Sequence, residues 1–197
     1  CAQQGAAMNG RSLRALINQR EVGHLREVAG LWSFQYAASW LNHPQAFALS
    51  PHLPLSAEPL LDGASQRPVQ WYFDNLLPEE GQRTLLAGDA RLDAADAFGL
   101  LAWYGAESAG SLTLLSSEAV PQATEPLRPL PDEPLQARIL QMPKAPLTHA
   151  AIKRMSLAGA QHKLAVVLQE GALFEPAGAT PSTHILKPDH PDEDYPH

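Results

Sequence analysis

The sequence predicts an α+β fold, and three observations carry that reading. Stretches of period-two hydrophobicity come first, stretches of helical period follow, and after a proline-rich interval the pattern returns to short strands. Strands and helices that segregate along a chain, rather than alternating one by one, favour α+β over a doubly wound sheet. The 197 residues are enough for one large or two small domains, each with its own core.

Residues 1–12 read as a tail. "LRALINQREVGHLREV" (Leu13 to Val28) has two apolar segments flanking "NQRE", a hairpin pattern. "LWSFQYA" (Leu31 to Ala37) alternates large apolar and polar residues, as a half-buried strand does. "FALSPHLPL" (Phe47 to Leu55) reads as an edge strand, because Pro51 and Pro54 cannot donate to a ladder. The period then changes. Trp71, Phe73, Leu76 and Leu77 fit one helical face, and Pro78 is placed to open a second helix. A third helix is predicted over Asp93 to Ala106, with Asp93 as N-cap and Gly105 as its stop. "SAGSLTLLS" (Ser108 to Ser116) returns to strand character and closes a mixed unit over residues 13–117.

Seven prolines between Pro121 and Pro146 mark residues 118–148 as a connector. Within it "DEPLQARILQM" predicts one helix, with Asp132 as cap and Pro134 in the first turn. Residues 149–197 then read as strands: "AAIKRMSL", "HKLAVVLQ", "ALFEPAG" and "THILKP", with Gly171 between the second and third. They suggest the start of a second, antiparallel sheet, followed by an acidic, proline-rich tail.

Composition narrows the function classes. A net charge of −7, with no run of Lys or Arg longer than two, argues against direct nucleic-acid binding. Cys1 is the only cysteine, so no internal disulfide forms. No apolar stretch reaches the roughly 18 residues of a membrane span, and no signal-peptide pattern opens the chain. A cytoplasmic protein with no membrane partner is expected. A lipid-bearing N-terminal cysteine is the weaker reading.

The chemistry concentrates near "SLAGAQHKLAVVL" (Ser156 to Leu168). Neither glycine-rich phosphate pattern is present, since Gly159 is the only glycine there. On the residues alone a plain turn is the commoner reading. Even so, Ala158, Gly159 and Ala160 would let a ligand approach the backbone, and their amides could form an anion nest. Lys187 ends an apolar strand, as does the lysine that reaches nucleotide phosphates in kinase lobes; a solvated strand-end lysine is the ordinary alternative. "DHPDEDYPH" lacks zinc-ligand spacing, so no metal site is assigned. No Ser/His/Asp constellation or carboxylate pair stands out.

Taken in order, these segments resemble the HipA family, the serine/threonine kinase toxins of bacterial toxin–antitoxin systems. "NQREVGHL" resembles that family's opening hairpin, and "YFDNLLPEE" (Tyr72 to Glu80) its helix-opening motif. "AFGLLAWYGAESAGSLTLL" (Ala97 to Leu115) is similar to the helix and strand closing its N-terminal subdomain. "RMSLAGAQHKLAV" (Arg154 to Val166) resembles its phosphate loop, and "PSTHILKP" (Pro181 to Pro188) its ATP-lysine strand. The resemblance implies that Ala158, Gly159, Ala160, Gln161, His162 and Lys163 wrap the phosphates of ATP. His162 carries no further role. Lys187 would pair with the α- and β-phosphates, and Ser156 would be the autophosphorylation site. Phosphate there would repel the nucleotide and eject the loop. ATP and Mg²⁺ are the implied cofactors and a HipB-type DNA-binding antitoxin the implied partner. An aminoacyl-tRNA synthetase is the implied protein substrate.

One departure bears on activity. The family's catalytic aspartate, its asparagine and the metal-holding aspartate lie well beyond the lysine strand; Asp189, Asp192 and Asp194 come too soon to replace them. No catalytic residue is therefore assigned in this chain, which is expected to be inactive alone as the first part of a kinase. A truncated chain, a cleaved longer chain and a natural split protein all remain open. The reading from another class is a non-catalytic module that pairs with a separate kinase chain or antitoxin.

Overall fold

The computed structural model describes residues 10–107, 112–119, 126–141, 163–177 and 180–188. Two antiparallel sheets and five α-helices make up these parts, an α+β architecture as expected.

The first sheet grows from tight turns. Strands β1 (Arg11–Ile17), β2 (Arg20–Val28) and β3 (Leu31–Tyr36) are joined by two-residue connections. Asn18 and Gln19 in the first, and Ala29 and Gly30 in the second, all have positive φ. Positive φ at both central positions is the geometry whose twist matches a hairpin. The "NQRE" hairpin thus turns on its first two residues, and Arg20 and Glu21 already belong to β2. Val22 is an extra residue opposite the Ala15/Leu16 step, a bulge that puts its side chain fully inside. Gly23 has no alternative, because a Cβ there would collide with the Gln35 carbonyl and the Phe34 ring. Strand β4 (Leu60–Leu61) pairs with β3, and β5 (Leu112–Ser116) with β1, giving the order β4-β3-β2-β1-β5.

One face of this sheet holds Leu13, Ala15, Ile17, Leu25, Trp32, Phe34, Tyr36, Leu112 and Leu114, all buried. It is covered by α2 (Pro68–Asp74), α3 (Glu80–Ala90) and α4 (Ala97–Tyr104), which contribute Val69, Phe73, Leu86, Phe98, Leu100 and Leu101 to the same core. The short helix α1 (Ala38–Leu41) adds Trp40. Arg11 ties sheet to helix: it bonds Glu27 and Asp96 at 2.8 Å each and lies over the Phe98 ring. Partial burial pulls its pKa down, but the bonds to Glu27 and Asp96 outweigh that and leave it raised.

Four local expectations change. Phe47 to Leu55 forms no strand; its only ladder contact is a Ser50–Leu53 bridge. Its prolines cannot sustain pairing, and the segment is held instead by Tyr36, whose hydroxyl donates to Leu53 O (2.6 Å) and accepts from Leu49 N (2.9 Å). Pro78 precedes α3 by two residues rather than opening it. The α4 cap is Asp96, whose carboxylate accepts from Gly99 N, while Asp93 closes the turn before it through Ala95 N. Trp71 does not share the buried face of Phe73 and Leu77; it is 55% exposed.

The second sheet has the order β6-β8-β7-β9, from β6 (Arg128–Pro129), β7 (Leu164–Gln169), β8 (Ala172–Glu175) and β9 (His184–Leu186). Strands β7 and β8 turn at Glu170 and Gly171, again both at positive φ. Helix α5 (Asp132–Gln141) starts at Asp132 itself, so Asp132 is its first residue and not its cap. The Pro131 carbonyl accepts from Leu135 N. Leu135 packs on a small core of Leu130, Leu164 and Val166, and Arg138 forms an ion pair with Glu175 of β8.

Candidate functional site

The candidate site is one end of the β7–β9 pair. These strands run antiparallel with Leu164 opposite Leu186, Ala165 opposite Ile185 and Val166 opposite His184. The pair is locked at its other end by Thr183, which donates its amide to Val166 O and accepts from Leu168 N through its hydroxyl. Lys163 precedes Leu164 and Lys187 follows Leu186, so both lie at this end of the paired stretch. Lys163 is half-buried and Lys187 exposed.

Strand alternation sorts the two faces. Leu164, Val166, Leu173 and Leu186 turn toward Leu130 and Leu135 and form the small core. The opposite face carries Lys163, Ala165, Val167, Phe174, Ile185 and Lys187. Ile185 is 52% exposed there. An apolar strip ending in two lysines suits a ligand with a flat apolar part and an anionic part.

Of the residues predicted for nucleotide binding, Lys163 and Lys187 are described, and both lie at the same end of the β7–β9 pair. Ser156, Ala158, Gly159, Ala160, Gln161 and His162 lie outside the described residues, as does the predicted strand "AAIKRMSL". Ala165 and Ile185 were missed, although stepping back by two from Lys187 along a strand reaches Ile185. Among the described residues no group of three or more His, Cys, Asp or Glu side chains could hold a metal. Among them, too, no helix is long and apolar enough to cross a membrane.

The HipA N-terminal domain family matches residues 13–115, just over half of the chain. The chain belongs to the HipA family. It is 40% identical over 161 residues to a putative kinase, Y4mE, of Sinorhizobium fredii, a match covering 79% of this chain and 37% of that protein. It is 28% identical over 160 residues to the serine/threonine-protein kinase toxin HipA of Shewanella oneidensis, covering 81% and 35%. A solved structure of the Shewanella oneidensis HipA with HipB and operator DNA shares the fold at a TM-score of 0.62 and 24% identity, over 88% of this chain and 39% of that one. The chain thus spans little more than a third of the length of these HipA relatives.

Proposed function

We propose that this chain supplies the N-terminal domain and part of the ATP site of a HipA-type serine/threonine kinase. The observation that carries the reading is the end of the β7–β9 pair, where Lys163 precedes Leu164 and Lys187 follows Leu186 beside an apolar strand face. Lys187 engages the α- and β-phosphates, while the adenine lies along Ala165 and Ile185. Residues 158–163 wrap the phosphates, with the backbone amides doing most of the holding. Ser156, just before this loop, is the autophosphorylation site, and a phosphate there opposes nucleotide binding by like-charge repulsion.

Phosphoryl transfer also needs a base and metal-holding carboxylates. The described residues offer no such set, so no step through Mg²⁺ is assigned to them. Membership of the HipA family and the HipB complex of a structural relative support a HipB-type antitoxin as partner, and the serine/threonine-protein kinase name of a relative supports a protein serine or threonine as target. An aminoacyl-tRNA synthetase is the substrate class we propose from the family resemblance.

Calorimetric titration of the purified protein with Mg-ATP tests the site. Lys187→Ala is expected to weaken binding tenfold or more with the thermal transition unchanged; an unaltered affinity overturns the assignment. Mass spectrometry of the full-length kinase product after incubation with Mg-ATP should find phosphate on the Ser156 peptide, and ATP binding by that product without the modification rejects the autophosphorylation claim. The independent core of the first unit favours one second reading, a non-catalytic interaction module. That reading predicts no saturable ATP binding at all.

A further inference from the structure

Thr183 meets β7 at two points, one on each side of Val167. Its amide donates to the Val166 carbonyl (3.0 Å), and its hydroxyl accepts from the Leu168 amide (2.9 Å). The hydroxyl therefore stands in for a strand carbonyl where the β7–β9 ladder ends. Its own proton is directed at His184 Nδ1, 2.8 Å away, in the tautomer whose Nδ1 accepts, and that contact orients the hydroxyl.

Among the described residues, little else specifies how β9 sits along β7. Three residue pairs join the strands, and on the face toward the small core β9 contributes one apolar side chain, Leu186. A slip of one residue would turn Leu186 away from that core, so burial excludes it. A slip of two residues keeps every side chain on its own face. It would set Leu186 opposite Val166 instead of Leu164, one apolar partner exchanged for another. Main-chain bonds distinguish the two registers poorly, because nearly every residue carries the same amide and carbonyl.

The Thr183 hydroxyl does distinguish them. Two strand residues span about 7 Å, so the slip carries it out of reach of Leu168 N. The same slip carries Lys187 about 7 Å along β7, away from the end where Lys163 precedes Leu164.

We propose that Thr183 is a positioning residue for the nucleotide: its hydroxyl holds β9 in the register that puts Lys187 at the candidate site. The proposal rests on the ATP reading of that site. The test is calorimetric titration of the full chain with Mg-ATP, comparing the parent with Thr183→Val, Thr183→Ser, Lys187→Ala and the double variant carrying Thr183→Val and Lys187→Ala. Valine keeps the branched shape and loses the acceptor, whereas serine keeps the acceptor. Thr183→Val should weaken ATP binding about fivefold, the worth of one hydrogen bond, and Thr183→Ser should stay within about twofold of the parent. In the Lys187→Ala background Thr183→Val should have no further effect, because the lysine through which it acts is gone. Thermal melts check folding, and Thr183→Ala takes the place of a valine variant that does not fold. Losses that simply add in the double variant, or a loss that serine does not rescue, overturn the proposal. ATP binding that needs Lys187 but is unmoved by Thr183→Val overturns it alone. No saturable binding, or binding indifferent to Lys187→Ala, removes the ATP reading and the proposal with it.

Discussion

The two sheets of this chain solve the same packing problem with very different resources. The first unit buries more than twenty apolar side chains in one cluster, with helices laid across one face of its sheet. Among the described residues, the second sheet has a fully buried cluster of only three, Leu130, Leu164 and Val166, covered by one helix. Its other face carries exposed Ile185 and the two lysines. Val167 is the buried residue of that face, so the described part of the second sheet rests on far less packing than the first.

Substitutions can break that comparison, and the largest effect belongs to the first core. Phe34 is fully buried between Tyr36 and Phe73. Phe34→Ala should cost about 3–5 kcal/mol in denaturant unfolding. Leu164→Ala, in the small cluster, should cost about 2 kcal/mol, the low end for such a truncation. Equal losses at the two sites would remove the contrast.

Asp62 comes next. Helix α2 has no side-chain cap of its own, and the buried Asp62 carboxylate, delivered by β4, accepts from Val69 N (2.8 Å) and Gln70 N (3.0 Å). Asp62→Ala should lower stability by about 1–2 kcal/mol, measurable as a shifted urea midpoint.

Alkaline pH should act on the first unit more than the second. Tyr104, Tyr36 and Tyr72 all have pKa values pushed up by burial; for Tyr104 its hydrogen bond to Asp89 and that carboxylate's charge add to the rise. A raised tyrosine contributes its full stability below the unfolded value of about 10 and loses it as pH climbs through the folded value. The urea midpoint should therefore fall above about pH 10, and Tyr104→Phe should flatten that fall. Smallest of all, Lys187→Ala should move stability by less than about 0.5 kcal/mol while it removes ATP affinity. A large loss of stability there would make the lysine structural.

Much of the fold was legible because local chemistry and tertiary packing agree. The hairpin at Asn18 and Gln19, the alternation of β3 and the turn at Gly171 are set by residues within a few positions of one another. The misplacements share one cause, a partner distant in sequence. Phe47 to Leu55 looked like a strand because nothing local shows that the Tyr36 hydroxyl holds it. The α4 cap moved from Asp93 to Asp96, which also meets Arg11 some 85 residues away. At the candidate site, Lys163 and Lys187 could be named individually from the chain, but not the strand pair whose end carries both.

By itself the sequence determined the α+β class, the opening hairpin and the family, since period, turn residues and motifs are properties of short windows. Tertiary structure alone decided which face of each element meets the core. It turned Trp71 outward, set Asp62 at the start of a helix it does not belong to, and paired β7 with β9 so that Lys163 and Lys187 share one end. Each depends on strand register and helix packing, which join residues far apart in the chain and leave no mark in any one window of it.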